Sequence, residues 1–466
     1  MVELLNYFNI NLYYIIPEFA FGIILIAIFF YDLVRHVAKG GFVLDCWFIS
    51  VFMGCMLPIV IISPFSCSDI SLSVIGGREY IRDRLPEAYL ISAIGISSIF
   101  FGAFFGNLRF SSDVSSNVSK NVVGRAIAFA NAVLYEVVRD RISFYITSLL
   151  FLTAGVVTAI FVFSSSALDG GLRAAELGND GIRPFINLLF VSVIPLITQI
   201  VIAKWGLGKA RLFDVVLGVS SVVLSAVSSS KSVILMPAML ICIIISQRLK
   251  RKSLAFLFLA SCGASLGALG LIINFLRSAG TGSGQSATLL PVLLEALYGN
   301  ALSDLRDFSW FLSDWNGQLY YGATWLAGAI SFVPRSISDF REHYALGVVT
   351  ATTVGLNPLE HAGIRIGPFG ESYINFGYMG VGLVSFLFGY VVKYLQVWAR
   401  RLQETLPNHR EYAFIFSIMV AGLLFLIMNT AGFWELYATI GFFVTFKAVR
   451  WLIRADYPAG VAAKGG

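Results

Sequence analysis

Residues 143–163 read SFYITSLLFLTAGVVTAIFVF and contain no charged side chain. In a helix that rises 1.5 Å per residue, a run of this length spans the ~30 Å hydrocarbon core of a bilayer. The chain repeats this pattern, since 57% of its 466 residues are hydrophobic, only 13% are charged, and the mean hydropathy is +0.80. A soluble domain of this length would need more charge to cover its surface. The sequence therefore predicts an all-α polytopic membrane protein.

About eleven apolar runs, within a range of ten to twelve, are predicted to be transmembrane helices. Their bounds are 12–34, 42–63, 87–106, 143–163, 185–203, 213–227, 233–247, 254–276, 376–395, 412–429 and 433–452. The sixth and seventh runs are short enough to be tilted, broken or only partly spanning. An amphipathic helix on the membrane surface is expected at 126–138. We divide the chain into an N-terminal bundle of about eight helices (1–276), a loop domain (277–375), C-terminal helices (376–453) and a flexible tail (454–466).

The basic residues predict the topology. Of the 33 Lys and Arg residues, two thirds lie in one alternating set of loops, which the positive-inside rule assigns to the cytoplasm. The C-terminus belongs to that set. The long segment 277–375 belongs to the other set, so we expect it to face the periplasm from the inner membrane of a Gram-negative cell.

The segment 277–375 concentrates Arg, Asp, Trp, Tyr and Gly, and it ends in GIRIGPFGESYINFG at 363–377. Arg365 carries a forked, permanent charge that suits phosphate oxygens. Three polar residues follow at the mouth of the predicted ninth helix: Glu371, Tyr373 and Asn375. Polar groups are costly there unless they line a site. The alternative is a loop packed against lipid headgroups, with Arg365 reaching a lipid phosphate.

Two other positions offer positive charge to an anion. In SSSKS at 228–232, amide N–H groups, hydroxyls and Lys231 converge on a helix N-terminus. Arg335 follows a proline. Both also have a plainer interpretation, as a helix cap with an interfacial lysine and as an arginine reaching the headgroups. His343 and His361 are candidate bases, although a loop histidine is more often a solvated bystander. No spacing is typical of a metal site, and we expect no cofactor.

Four features of the chain resemble the Wzy-type O-antigen polymerase family of oligosaccharide repeat-unit polymerases. They are SSSKS, YGATWLAGAISFVPR at 321–335, RIGPFGESYINFGYMG at 365–380, and the large outward loop before the closing helices. The resemblance implies a GT-C-like fold and an inverting glycosyltransferase of lipopolysaccharide biosynthesis. That enzyme would polymerise undecaprenyl-diphosphate-linked oligosaccharide units at the periplasmic face. Its implied partners are a chain-length co-polymerase and a flippase, and no nucleic acid.

The implied chemistry assigns roles to the residues above. Because the leaving group is a lipid diphosphate, cationic side chains can stabilise it without a metal. The candidate clamp residues are Arg365, Arg335 and Lys231, with Arg277 and Arg173 in reserve. Glu371 and His361 compete as the proton acceptor. The candidate sugar-binding residues are Tyr373, Asn375, Trp310 and Trp315.

Two other functions stay open. An O-antigen ligase, which transfers polymer to lipid A core, shares the donor and the outward loop, so clamp arginines do not separate it from a polymerase. A transporter or flippase of lipid-linked oligosaccharide would favour charges within the spans and near-symmetric halves. Charges within the predicted spans are scarce here, which favours an enzyme.

Overall fold

In the computed structural model, every regular element of the described chain is helical. The described residues are 45–61, 78–112, 122–164, 188–226, 231–249, 251–280, 303–333, 337–358, 363–405, 410–428 and 432–455, with six positions between 23 and 34. The chain forms two compact units. Unit 1 comprises Met1–Ser112, Ile245–Arg400 and Val420–Gly432, and unit 2 comprises Asp113–Ile244, Arg401–Met419 and Phe433–Gly466.

Six helices in the described part are long and apolar enough to cross a membrane, and this confirms the prediction of a helical membrane protein. They lie within Tyr80–Gly106, Arg141–Ile160, Leu188–Gly206, Ser253–Gly270, Gly367–Leu402 and Phe433–Arg454. Three shorter apolar helices are Leu212–Ser225, Leu235–Ser246 and Glu411–Ile427. The first of the eleven predicted runs lies mostly outside the described residues.

Unit 1 contains most of the candidate site residues, while Arg173 and Lys231 belong to unit 2. The helices of unit 1 are α1 (Phe48–Ile61, π-helical), a 3₁₀ turn (Glu79–Arg84), α2 (Leu85–Ser112), α8 (Lys252–Gly280), α9 (Asp304–Asp314), α10 (Ala323–Ala329), α11 (Asp339–Tyr344), α12 (Leu346–Thr353) and most of α13 (Gly367–Thr405). The amphipathic α9 packs on α1, α2, α12 and the 3₁₀ turn, and α10, α11 and α12 pack on one another. The helix α8 continues through the division that we predicted at residue 276.

Two long helices of unit 1 touch backbone to backbone. A Cβ added to Gly102 of α2 would lie 2.0 Å from the carbonyl oxygen of Phe386, and one added to Gly389 of α13 would lie 2.0 Å from that of Ile99. Ser98 and Gly106 continue the small-residue stripe at four-residue spacing along α2. Small residues at this spacing let membrane helices approach closely. The contact fixes α2 and α13 as one pair.

The helix α13 is broken at Gly377, whose φ of 63° and ψ of −155° are not helical. Only glycine adopts this conformation readily. A Cβ on Gly380 would lie 2.6 Å from the carbonyl oxygen of Ser372, although residues eight apart in a straight helix are about 12 Å apart. The chain therefore folds back, so that 367–376 forms a short separate helix. Residues 378–402, about 37 Å long in a helix, remain to cross the membrane.

Unit 2 contains the other helices. They are α3 (Val122–Arg139), α4 (Arg141–Ser164), a π-helical turn (Leu188–Val193), α5 (Ile194–Gly206), α6 (Leu212–Ala226), most of α7 (Lys231–Arg248), the first part of α14 (Arg410–Ile427) and α15 (Gly432–Ala455). The predicted amphipathic helix at 126–138 is present as α3. It buries one face that includes Ile127, Leu134 and Val137.

A buried ion pair holds α5 and α6 together. Lys204 Nζ lies 2.6 Å from Asp214 Oδ1, and both side chains are completely buried. The Lys204 ammonium lies 3.9 Å from the centre of the Phe144 ring. Tyr145 and the backbone N–H of Arg211 donate to the other carboxylate oxygen. Lys204 is one of the basic residues that the charge pattern assigns to a cytoplasmic loop. The structure shows that assignment to be wrong, because the charge is buried and paired with Asp214.

Candidate functional site

The most distinctive polar group on unit 1 is a set of side chains around Glu87, which we call the Glu87 cluster: Arg84, Glu87, Trp315, Tyr373 and Tyr378. Arg84 Nη1 donates to Glu87 Oε2 at 2.7 Å. Tyr373 donates to the other carboxylate oxygen, Glu87 Oε1, through a long contact of 3.5 Å. The Glu87 side chain is 30% exposed, so a carboxylate oriented by two partners still reaches solvent.

Aromatic rings form one wall of the Glu87 cluster. The Tyr373 ring centre lies 5.8 Å from that of Trp315 and 5.1 Å from that of Tyr378, both edge to face. Trp315 Nε1 is buried and has no hydrogen-bond partner among the described residues. An orphaned buried N–H is costly and is typical of a position that water or a ligand completes. Tyr378, which is 45% exposed, gives this wall an accessible ring face that can pack against a sugar.

Trp310, predicted to bind sugar, has a different position. Its ring is only 4% exposed, and the Arg78 guanidinium lies 4.5 Å above the ring centre. Its indole N–H donates to Asp314 Oδ2 at 3.0 Å, and Tyr80 donates to the same oxygen at 3.3 Å. The face and the N–H of Trp310 are thus occupied, and the residue joins α9 to the 3₁₀ turn.

Glu371 and Asn375 are also internal. Both are completely buried. Thr324 donates to Glu371 Oε1 at 2.8 Å, and Asn375 Nδ2 donates to Thr324 Oγ1 at 2.7 Å. Asn375 Oδ1 accepts from the backbone N–H of Gly322 at 2.9 Å. These bonds join α10 to the short helix 367–376, and neither side chain is accessible to solvent.

The helix 367–376 explains why the three polar residues separate. The sequence predicts a loop up to residue 375, and this prediction is wrong for 367–376, which is helical. Residues four apart share a helix face and residues two apart do not. Glu371 and Asn375 therefore face α10, while Tyr373 faces Glu87.

Arg365, the leading clamp candidate, is exposed and lies just before helix 367–376. Burial raises the pKa of Asp304 to about 6, and Asp307 adds to this rise while the positive charge of Arg365 opposes it. Arg306 does not add a free cation, because it is buried and pairs with Asp307 at 2.7 Å. Along α9, Asp304 lies about 15 Å from Asp314. Arg365 and the Glu87 cluster are thus at opposite ends of that helix.

The other predicted residues are only partly described. Lys231 is the first residue of α7 and Arg277 lies within α8, but their side chains lie outside the described part. Arg173, Arg335 and His361 also lie outside the described residues. His343 is exposed at the end of α11, where its Nδ1 lies 2.7 Å from the carbonyl oxygen of Asp339.

Sequence reasoning missed Glu87, although a signal was present. Arg84 and Glu87 are three residues apart at the start of an apolar run, and such residues are neighbours on one helix face. The contact with Tyr373, 286 residues later, carries no local signal. Among the described residues, no group of three or more His, Cys, Asp or Glu side chains is placed to hold a metal ion. No family model, curated protein or solved structure matches the chain.

Proposed function

We propose that the chain is an inverting membrane glycosyltransferase that polymerises undecaprenyl-diphosphate-linked oligosaccharide repeat units. In this proposal about eleven spans form a GT-C-like arrangement in the inner membrane, and the Glu87 cluster faces the periplasm. The observation that supports it best is the juxtaposition of a partly exposed, hydrogen-bonded carboxylate with the Tyr373 and Trp315 rings. Aromatic faces and carboxylates are the groups with which a protein holds and activates a sugar.

The proposed reaction has one displacement. The acceptor hydroxyl oxygen attacks the anomeric carbon of the donor, and its proton passes to the carboxylate of Glu87. The bond between the anomeric carbon and the diphosphate oxygen breaks, and the electron pair leaves with the diphosphate. Attack from the face opposite the leaving group inverts the anomeric configuration. His361 stays the alternative proton acceptor, because Glu371 is closed off from solvent.

The departing diphosphate needs positive charge. Preorganised cations stabilise charge that develops in the transition state. Arg365 is the proposed clamp with a described, exposed side chain, and Arg335, Lys231, Arg277 and Arg173 stay proposals for the same role. The separation of about 15 Å along α9 is longer than one hexose ring. Arg365 and the Glu87 cluster would therefore contact different parts of a lipid-linked oligosaccharide.

A reconstitution experiment tests the function. The full-length protein in vesicles is given synthetic lipid-linked repeat units, and products are separated on a gel, where a polymerase yields a ladder. No ladder, but transfer of preformed polymer to added lipid A core, would identify a ligase instead. Movement of the substrate between leaflets without any new glycosidic bond would identify a transporter. Ligase activity, transport without a new glycosidic bond, or the absence of all three activities overturns the proposal.

Variants then test the site. Glu87→Gln keeps the size of the side chain but removes the base, so we expect polymerisation to fall by about 10²–10⁴-fold, the usual contribution of a general base. Asp83→Asn is the matched control, because Asp83 is an exposed acidic residue in the adjacent 3₁₀ turn. If the Glu87→Gln protein makes the wild-type ladder, Glu87 is not the proton acceptor. The proposed polymerase function would still stand.

A further inference from the structure

Unit 2 contains a cavity of about 660 Å³ that the proposed glycosyl transfer does not use. It lies between the C-terminal half of α3, the first turn of α4 and the last turns of α15. Its volume is within the range of roughly 300–1,000 Å³ that is typical of small-molecule sites. Its lining includes three arginines, Arg139, Arg450 and Arg454.

The acidic residues of the lining are already neutralised. Glu136 forms ion pairs with Lys447 and Arg450. Asp140 Oδ2 lies 3.0 Å from Arg450 Nε, and Asp140 Oδ1 caps α4 by accepting from the backbone N–H of Ser143. The negative charges of Glu136 and Asp140 are thus balanced by Lys447 and Arg450.

Arg139 and Arg454 are the two arginines of the lining whose positive charge is not balanced by a carboxylate of the described residues. Both are exposed, and the described part of the chain places no carboxylate against either guanidinium. Arg454 lies close enough to Arg450 for their charges to repel. Lys209 adds further positive charge nearby, with its Nζ 5.2 Å from the ring of Tyr135, another lining residue. Like charges gathered without a partner favour an anion between them.

The position of the cavity indicates the kind of anion. One candidate membrane span begins at Arg141, beside the cavity, and another ends at Arg454, in its lining. The cavity therefore lies where spans leave the hydrocarbon core, at the depth of the lipid headgroups. Its lining also contains the apolar side chains Ile142 and Ile453. Arginine forks match the oxygens of a phosphate group in pairs.

We propose that this cavity is a binding site for a phosphate ester, held by Arg139 and Arg454, with the organic part of the ester against Ile142 and Ile453. The ester has two sources with the same chemistry, namely the headgroup of an anionic phospholipid and a soluble sugar or glycerol phosphate. The site is independent of the Glu87 cluster, because all its residues belong to unit 2.

Calorimetric titration of the purified full-length protein, in a neutral detergent, tests this site. The probes are dihexanoylphosphatidylglycerol, dihexanoylphosphatidylcholine and glycerol 3-phosphate. We expect phosphatidylglycerol to bind and the choline lipid not to bind, with affinity that falls as salt is added. If glycerol 3-phosphate binds and displaces the lipid, the source is soluble; if only the lipid binds, the source is the bilayer. A protein that binds neither of the two anionic probes more tightly than the zwitterionic choline lipid overturns the proposal.

Variants locate the binding. The double substitution Arg139→Gln with Arg454→Gln should weaken binding at least tenfold, the scale of one lost charge-assisted hydrogen bond. The matched control is Arg125→Gln with Arg211→Gln, which removes the same charge from exposed positions of unit 2 outside the lining. Arg139→Lys with Arg454→Lys keeps the charge and folding, loses the forked contacts, and should give an intermediate affinity. Wild-type affinity in the glutamine pair, or an equal loss in the control pair, refutes the assignment.

Discussion

The hydroxyl of Thr324 donates a 2.8 Å hydrogen bond to Glu371 Oε1, and both side chains are completely buried. Removing one donor from a buried carboxylate costs about 1–3 kcal/mol. We therefore expect Thr324→Val to lower the Tm of the detergent-solubilised protein by several degrees. Thr352→Val is the matched control, because the Thr352 hydroxyl is exposed and bonds only within its own helix. Equal Tm values for the two variants would contradict a structural role for this bond.

Asp304 predicts a dependence of stability on pH. Burial raises its pKa to about 6, above its ordinary value of 3.8. The folded state therefore holds the proton more tightly than the unfolded state. The stability that neutral Asp304 contributes is present below about pH 4 and is lost as the pH rises to about 6. Asp304→Asn, which is neutral throughout, should raise the Tm at pH 7 relative to wild type and change it little at pH 4.

Arg365 sets the upper end of that pH range. Its positive charge favours the ionised form of Asp304, so Arg365→Gln should raise the pKa of Asp304 further. The loss of stability should then extend to a higher pH, which Tm measurements between pH 4 and 8 will detect. An unchanged profile in Arg365→Gln would mean that the two charges are not close in the folded protein.

The contact between α2 and α13 predicts opposite outcomes at two glycines of one helix. Gly389→Ala would place a methyl group 2.0 Å from a backbone oxygen of α2, whereas the nearest atom to a Cβ at Gly382 is 3.9 Å away. Overpacking of this kind costs about 1–3 kcal/mol. Thermal unfolding should show a lower Tm for Gly389→Ala and no loss for Gly382→Ala. If both alanines are tolerated, the two helices do not touch at Gly389.

Substitutions of Lys204 and Asp214 should have non-additive effects on the stability of the protein. Lys204→Met leaves a buried carboxylate without its main partner, and such changes cost about 3–5 kcal/mol. Replacing both residues, as Lys204→Met with Asp214→Leu, removes the stranded charge and should restore part of the lost stability. The Tm of the double variant should exceed that of Lys204→Met. A double variant with a still lower Tm would show that the two effects are independent.

Hydropathy predicted a helix correctly where the helix depends only on its own stretch of sequence. The run at 143–163 became α4 (Arg141–Ser164) because an uncharged stretch of that length determines its own structure. Helix 367–376 was not predicted, since it depends on one backbone conformation at Gly377 and on bonds to Thr324 and Gly322. Lys204 was misjudged for the same reason, because its partner lies ten residues away across a turn.

The candidate site was predicted only in part. Tyr373 and Trp315 were named as sugar-binding residues from the chemistry that the resemblance implies, and their rings lie 5.8 Å apart. Glu371 and Asn375 were named for their position at a helix mouth, yet their four-residue spacing turns both inward. A helical interpretation of that stretch would have separated them from Tyr373. The contact between Glu87 and Tyr373 joins distant parts of the chain, and no pattern in one sequence reports such a contact.

The glycine contact between α2 and α13 has a consequence for bilayers of different thickness. A membrane that is thinner or thicker than the apolar length of a span changes its inclination. The two helices are in backbone contact at Gly102 and Gly389, which leaves no gap for one to slide past the other. They must therefore tilt together as one rigid pair. The first turn of α2, which contains Glu87, would then keep its position relative to residues 378–402 of α13 whatever lipid surrounds them.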